Sequence, residues 1–356
     1  MNQLFNETIN LLKKLISTPS FSREEDDTAN IIQEFLADKG ITTNRHINNI
    51  WAVNKYFDED KPTILLNSHH DTVKPNSGYT KEPFEPVIEN GKLFGLGSND
   101  AGGSLTSLIA AFVHFYEKKD LNYNLVLVAS AEEEISGDNG IISVLNKIPD
   151  INCAIVGEPT QMRMAVAEKG LMVLNCTAKG ISGHAAREEG ENAIYKAMQD
   201  IEWFRTHQFS KKSETLGPVK MTVTVVHAGS QHNVVPDTCD FTVDVRSTDA
   251  YSNKEVLEVI EDHIHSKVHP RSIRLNPSFI PLDHPIVKAG NELKLEKYGS
   301  PTLSDQAFLS VPSLKIGPGK SARSHTADEF IYLDEIRDGI ETYIQLLDLV
   351  NNWSSA

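Results

Sequence analysis

Apolar positions in the first third of the chain recur at two different periods. Leu4, Ile9, Leu11, Leu12, Leu15 and Ile16 fall on one side of a helix that ends before Pro19. Ala29, Ile31, Ile32, Phe35 and Leu36 repeat that spacing over residues 24–38, and Gly40 is placed to stop this second helix. Residues 50–53 read as a short strand and residues 62–68 as a strand apolar on both faces. The pattern then predicts a helix over 101–116, a strand over 124–130, a helix over 139–145 and a strand over 153–156. Strands alternating with helices require crossovers, hence a mostly parallel sheet flanked by helices, an α/β domain.

From about Lys169 the texture changes. Residues 171–178, 219–227 and 239–246 alternate apolar with polar, as strands solvated on one face do. Helices are predicted over 192–205 and over 252–268, the latter capped by Ser252, and a fourth strand over 272–280. The order β-α-β-β-α-β is the ferredoxin-like α+β arrangement. After Pro281 the helix–strand alternation returns and ends in an amphipathic helix over 333–349. The expected organisation is one α/β domain (1–168 and 282–356) interrupted by a smaller insert (169–281).

Composition narrows the class of protein. With 356 residues, 40% apolar and 23% charged, the chain is an ordinary globular one, which excludes disordered, collagenous and disulfide-rich scaffolds. A net charge of −15 argues against nucleic acid or an anionic membrane as partner. Cys153, Cys176 and Cys239 are far apart and form no CxxC pair, so neither a disulfide framework nor a thiolate zinc site is expected. The first residues lack a basic segment followed by an apolar run, and the apolar stretches near 105–113 and 125–129 are too short to span a bilayer. The chain reads as cytoplasmic.

The chemistry-bearing residues sit at the ends of predicted strands, on the edge of an α/β sheet where ligands bind. Ser68-His69-His70-Asp71 follows the 62–68 strand, and in extended chain His69 and Asp71 share a face while His70 points away, a structural residue. A carboxylate beside an imidazole fixes its tautomer and raises its basicity as a metal ligand. Gly95-Leu96-Gly97-Ser98-Asn99-Asp100 leads into the apolar helix, and no Lys follows to make it a phosphate loop. Glu132-Glu133-Glu134 follows the 124–130 strand, so that one carboxylate can bind metal while a neighbour stays free as a general base. Gly157-Glu158-Pro159-Thr160 follows the next strand, with Pro159 keeping Glu158 out of helical geometry. The segment 317–329, with His325, follows the strand 313–316. Two imidazoles and several carboxylates without a thiolate describe a site for Zn²⁺, Co²⁺ or Mn²⁺, with enough donors for two ions sharing one carboxylate.

Taken together and in this order, the motifs resemble the co-catalytic zinc amidohydrolase and metallopeptidase family of acetylornithine deacetylase, succinyl-diaminopimelate desuccinylase, aminoacylase and the glutamate-releasing carboxypeptidases. The resemblance covers nearly the whole chain. It implies two divalent ions, Zn²⁺ foremost and Co²⁺ as the alternative, held by His69, Asp100, Glu134, Glu158 and His325. Asp100 would bridge the ions, with a cis peptide after it. Asp71 would orient His69, and Glu133 would be the general base. The insert would be a lid and dimerisation domain, and Gly180-Ile181-Ser182-Gly183-His184 resembles the segment whose histidine stabilises the oxyanion, often from the partner of a homodimer. Asn233 and Arg246 match substrate-contacting positions, and Ser304-Asp305 resembles a segment near the substrate. Within the family, Glu168-Lys169-Gly170 and the Gly-Glu-Pro-Thr form look most like the acetylornithine deacetylase branch. That implies a small N-acyl amino acid substrate, with Lys169 and Arg187 as further cations able to meet a carboxylate.

Overall fold

The computed structural model describes residues 2–351 and divides the chain into two units. The first comprises residues 1–166, 280–298 and 304–356, of which 1 and 352–356 lie outside the described residues. It opens with α1 (Asn2–Ile16) and α2 (Asp26–Asp38). Gly40, at φ +72, ends α2: its N–H donates to Ala37 O while that of Ile41 donates to Leu36 O, a Schellman stop. Then come β1 (Asn44–His46), β2 (Asn49–Val53), β3 (Thr63–His69), β4 (Val87–Glu89), β5 (Lys92–Phe94), α3 (Gly103–Phe115), β6 (Asn124–Ser130), β7 (Cys153–Val156) and β8 (Met164–Glu168).

The second unit, residues 167–279 with 299–303, begins within β8. It holds β9 (Met172–Lys179), β10 (Gly183–His184), α4 (Ala193–Thr206), β11 (Lys220–Ala228), β12 (Val234–Val235), β13 (Thr238–Arg246), α5 (Asn253–His263), β14 (Lys267–Pro270) and β15 (Ser278–Phe279). The segment 299–303, which the sequence pattern leaves in the α/β domain, groups with this unit. The chain returns through α6 (Pro285–Glu292), β16 (Lys297–Ser300), β17 (Ser313–Lys315), β18 (Phe330–Tyr332) and α7 (Leu333–Val350).

In the first unit, β6, β3, β7 and β17 lie side by side and parallel, with β2 antiparallel beyond β6, β1 antiparallel to β2, and β8 antiparallel beyond β17. Every residue of β3, β6 and β7 is buried, as strands covered on both faces must be. Ile64 and Leu66 pack toward α1, α3 and α7, while Leu65, one residue out of phase, joins Val126, Val128, Ile141 and Ala154 on the other face. The four parallel strands all point their carboxyl ends at one edge. Helix α3 begins at Gly103, two residues later than its apolar pattern predicts, because Asp100 and Ala101 have non-helical backbone and the peptide between them is cis.

The second unit is a four-stranded antiparallel sheet in the order β11-β13-β9-β14. With α4 and α5 it completes the ferredoxin-like arrangement. Met172, Leu174, Cys176 and Ala178 of β9 and Cys239, Phe241, Val243 and Val245 of β13 fill its core. Asn192 caps α4, and Ser252 caps α5 in a full capping box with Glu255.

Three expectations from the sequence are corrected. Residues 139–145 make only a single 3₁₀ turn, Ile141–Ser143, because Gly140 is extended and the segment is too short to propagate a helix. Helix α5 stops at His263 rather than running to 268, because the buried Asp200 carboxylate accepts the N–H groups of His265 and Ser266 and pulls the chain away. The fourth strand of this sheet is therefore Lys267–Pro270; within 272–280 the Asn253 side chain holds a loop by donating to Ile273 O and Leu275 O, and only Ser278–Phe279 is strand, paired with β8. No helix among the described residues is long and apolar enough to cross a membrane.

Candidate active site

Loops at the carboxyl ends of β3, β6, β7 and β17, together with the turn before α3, bring His69, Asp100, Glu133, Glu134, Glu158 and His325 together. His69 closes β3, in register with Ser130 of β6. Its Nδ1 lies 3.0 Å from Asp71 O and 3.4 Å from Asp71 Oδ1, which places the ring proton on Nδ1. In the neutral ring Nε2 then carries the lone pair. It is buried without a hydrogen-bond partner, and it faces Asp100 Oδ1 at 3.6 Å and Glu133 Oε2 and Glu158 Oε1 at 3.8 Å each. His70 turns the other way, as expected, toward Thr28 Oγ1 and Asn48 O.

Asp100 stands between the two imidazoles. While Oδ1 faces His69, Oδ2 lies 3.5 Å from His325 Nε2, and that nitrogen is 3.0 Å from Glu134 Oε2. His69, Asp100 and Glu134 offer ligand atoms all within 4.8 Å of one another, and so do His69, Glu133 and Glu158. Gly97 permits the turn into Asp100: it has φ +74, and a Cβ there would come within 2.6 Å of Thr72 Cγ2.

The three consecutive glutamates divide their tasks by backbone geometry. Glu132 takes φ +52, and its carboxylate turns back to accept from Asn139 Nδ2 at 3.0 Å, so it is a loop brace. Glu133 and Glu134 project into the cluster, their N–H groups donating to Asp71 Oδ1 and Oδ2 at 3.0 and 3.2 Å. Asp71 also accepts from Ser22 Oγ at 2.7 Å. One buried carboxylate thus orients His69 and anchors the loop carrying both acids.

The electrostatics are those of an acid cluster taken out of water. Burial pushes the Glu158 carboxyl up to about 8 and raises Glu133 well above the carboxylate range, with neighbouring carboxylates adding to both. Burial opposes protonation of His69, but the surrounding Glu133, Asp100, Asp71 and Glu158 together raise it well above its ordinary value. The hydrogen bond to Glu134 raises His325 to about 9. A divalent cation would relieve this crowding, and the orphaned His69 Nε2 is the ligand atom a metal needs. The residues present therefore fit such an ion, the ligand atoms of His69, Asp100 and Glu134 and those of His69, Glu133 and Glu158 each converging closely enough to hold one.

Three further acids support the site, of which the sequence singled out only Asp305. Glu329 accepts from the N–H groups of Gly97, Asn99 and Asp100. Glu25, fully buried, accepts from the N–H groups of Arg23 and Glu132 and from Asn48 Nδ2. Asp305, in the Ser304-Asp305 segment, accepts from Ser130 Oγ at 2.6 Å, and burial lifts it to about 6. Glu25 lies in an acidic run that reads as an ordinary solvated helix start, and the one signal for Glu329 is its place four residues after His325.

The remaining sequence candidates lie in the second unit. His184 in β10 pairs with Val234 in β12, and Ala185 N donates to Asn233 O, so His184 and Asn233 adjoin. The exposed His184 ring accepts the Ala186 N–H at Nδ1, which leaves Nε2 as a hydrogen-bond donor when the ring is neutral. Arg246 makes a two-pronged pair with Asp244, at 2.8 and 3.1 Å. Arg187 is exposed beside Glu189, and Lys169 is partly buried.

Fold and cluster together define a metal-dependent hydrolase. The model of peptidase family M20/M25/M40 matches residues 65–349, and the chain belongs to this family of metal-dependent amide hydrolases. A probable carboxypeptidase of Paracoccidioides brasiliensis is 26% identical over 98% of this chain and 87% of its own. Acetylornithine deacetylase of Buchnera aphidicola is 26% identical over 91% and 92%, and a succinyl-diaminopimelate desuccinylase from the same species is 29% identical over 72% of each. Among solved structures, aminopeptidase PepT from Bacillus cereus superposes with a TM-score of 0.75 at 17% identity, covering 97% of this chain and 98% of its own. The YXEP protein of Bacillus subtilis, described as a dinuclear metal binding peptidase, gives 0.74 at 15% identity over 99% of both chains.

Proposed function

We propose that this protein hydrolyses the amide of an N-acyl amino acid at a two-metal site, with N-acetylornithine, an intermediate of arginine biosynthesis, as its substrate. The observation that carries the two-metal reading is the division of Asp100, one oxygen toward His69 and the other toward His325. With the roles that the resemblance implies, His69, Asp100 and Glu158 would hold one ion and Asp100, Glu134 and His325 the other, which leaves Glu133 free. When bound, zinc ions supply Lewis acidity that polarises the scissile carbonyl and acidifies the attacking water. Glu133 takes the proton from that water and delivers it to the departing amine, work suited to a carboxylate whose proton affinity burial has raised. Asp71 holds the His69 tautomer and, through the two N–H groups of its neighbours, the position of Glu133. His184 donates from Nε2 to the developing oxyanion. Asn233 and Arg246 contact the substrate, a substrate carboxylate competing with Asp244 for the guanidinium. The protein acts as a homodimer in the cytoplasm.

Glu133→Gln tests the chemistry: it keeps zinc binding within about threefold while kcat falls by about 10²–10⁴. Undiminished turnover in that variant overturns Glu133 as the base. The substrate is tested by assaying N-acetylornithine beside N-acetylcitrulline, N-succinylcitrulline, N-succinyl-diaminopimelate and C-terminal dipeptides with zinc or cobalt added. The carboxypeptidase relative, matched over nearly the whole chain, makes peptide cleavage the second reading. A kcat/KM for dipeptides above that for every acylated amino acid decides for it.

A further inference from the structure

The loop that carries Asp100 and the loop that carries His325 are joined by a carboxylate that accepts three backbone N–H groups of the Asp100 loop. Glu329 is only 2% exposed. Its Oε1 accepts the N–H groups of Asn99 and Asp100 at 2.8 and 2.9 Å, and its Oε2 accepts that of Gly97 at 3.1 Å. Its own carbonyl accepts Gly95 N–H at 3.0 Å. The next residue, Phe330, starts β18, in antiparallel register with Phe94 of β5, so the small sheet β18-β5-β4 delivers Glu329 to this loop. On the other flank, Asn99 clasps the backbone of Lys320, accepting its N–H at 2.9 Å and donating to its carbonyl at 3.2 Å. Residues 97–100 are thus bound at both ends of the segment containing His325.

We infer that Glu329 is a positioning residue that fixes the Asp100 loop to the His325 loop and thereby sets the affinity of the Asp100–Glu134–His325 metal side. This rests on the two-metal reading and extends it to an order of strength. Two of the three ligands on that side sit on the tethered loops, whereas on the other side only Asp100 does. Three N–H groups converging on one carboxylate need an acceptor with two oxygens. A glutamine supplies one oxygen and turns its amide hydrogens toward the remaining donors, so the loop must shift.

The test is zinc titration of the metal-free protein by calorimetry, with melting temperature as the check on folding. Wild-type protein binds two ions. Glu329→Gln binds the second ion about 10–100-fold more weakly, the usual cost of removing a support for a metal ligand, and the first, which shares Asp100, less than about threefold more weakly. In a His325→Ala background, where that side is already lost, Glu329→Gln changes the remaining affinity by less than about threefold. Asn99→Ala cuts the Lys320 clasp and weakens the same step, which keeps the test readable if Glu329→Gln does not fold. Equal weakening of both steps, or of neither, overturns the inference. A wild-type protein that takes up fewer than two ions overturns the two-metal reading itself, and the inference with it.

Discussion

Asp71 makes the densest set of contacts in the site, and its replacement separates orientation from coordination. Asp71→Asn keeps size and shape but turns an amide toward donors that now meet a carboxylate: Ser22 Oγ–H and the N–H groups of Glu133 and Glu134. Zinc affinity on the His69 side is expected to fall by about 10–100-fold, measured by competition with a chelating dye. Unchanged affinity would mean that β3 alone sets the ring. The pairing of His69 with Asp71 was legible in the sequence because extended chain alternates its faces. The resemblance singled out Glu133 and Glu134, but that Glu132 turns away from the cluster rests on its left-handed backbone, which no side-chain pattern announces. Glu25 and Glu329 escaped because an acid that binds backbone N–H groups looks, in sequence, like one that binds water.

At the scale of elements, local periodicity placed β6 and β7 at their observed ends and α1, α4 and α7 to within about two residues. It failed where a long-range contact decides. The end of α5 is set by Asp200, 65 residues away from His265 in sequence. Asp200→Ala leaves two N–H groups and the Ser266 hydroxyl without their acceptor. It should destabilise the protein by about 2–3 kcal/mol in urea unfolding, the scale of hydrogen bonds to a charged group. A loss below about 0.5 kcal/mol would show that α5 ends there for local reasons. The strand-end loops present the opposite situation: their motifs marked the residues that cluster, and the parallel order of β6, β3, β7 and β17 explains why such distant segments meet.

For the whole molecule, the acid cluster links metal, protons and stability. In the metal-free protein Glu158 is raised to about 8 by burial, above the range of an unfolded carboxyl, and His325 is raised to about 9 by its hydrogen bond to Glu134. Both groups bind protons more tightly folded than unfolded. Their contribution to stability is therefore present at low pH and is lost as pH rises, over roughly pH 5–8 for the carboxyl and pH 6.5–9 for the imidazole. Metal-free protein should melt at falling temperature from pH 6 to pH 9, while zinc removes most of that slope and raises the melting point throughout. A metal-free melting point that climbs over this interval would contradict the arrangement of charges. The most direct test of the central claim is anomalous X-ray scattering at the zinc edge from crystals of the zinc-loaded protein. Two peaks sharing Asp100 are expected, one beside His69 and Glu158 and the other beside Glu134 and His325, with Glu133 coordinating neither. A single peak, or peaks away from these side chains, would contradict it.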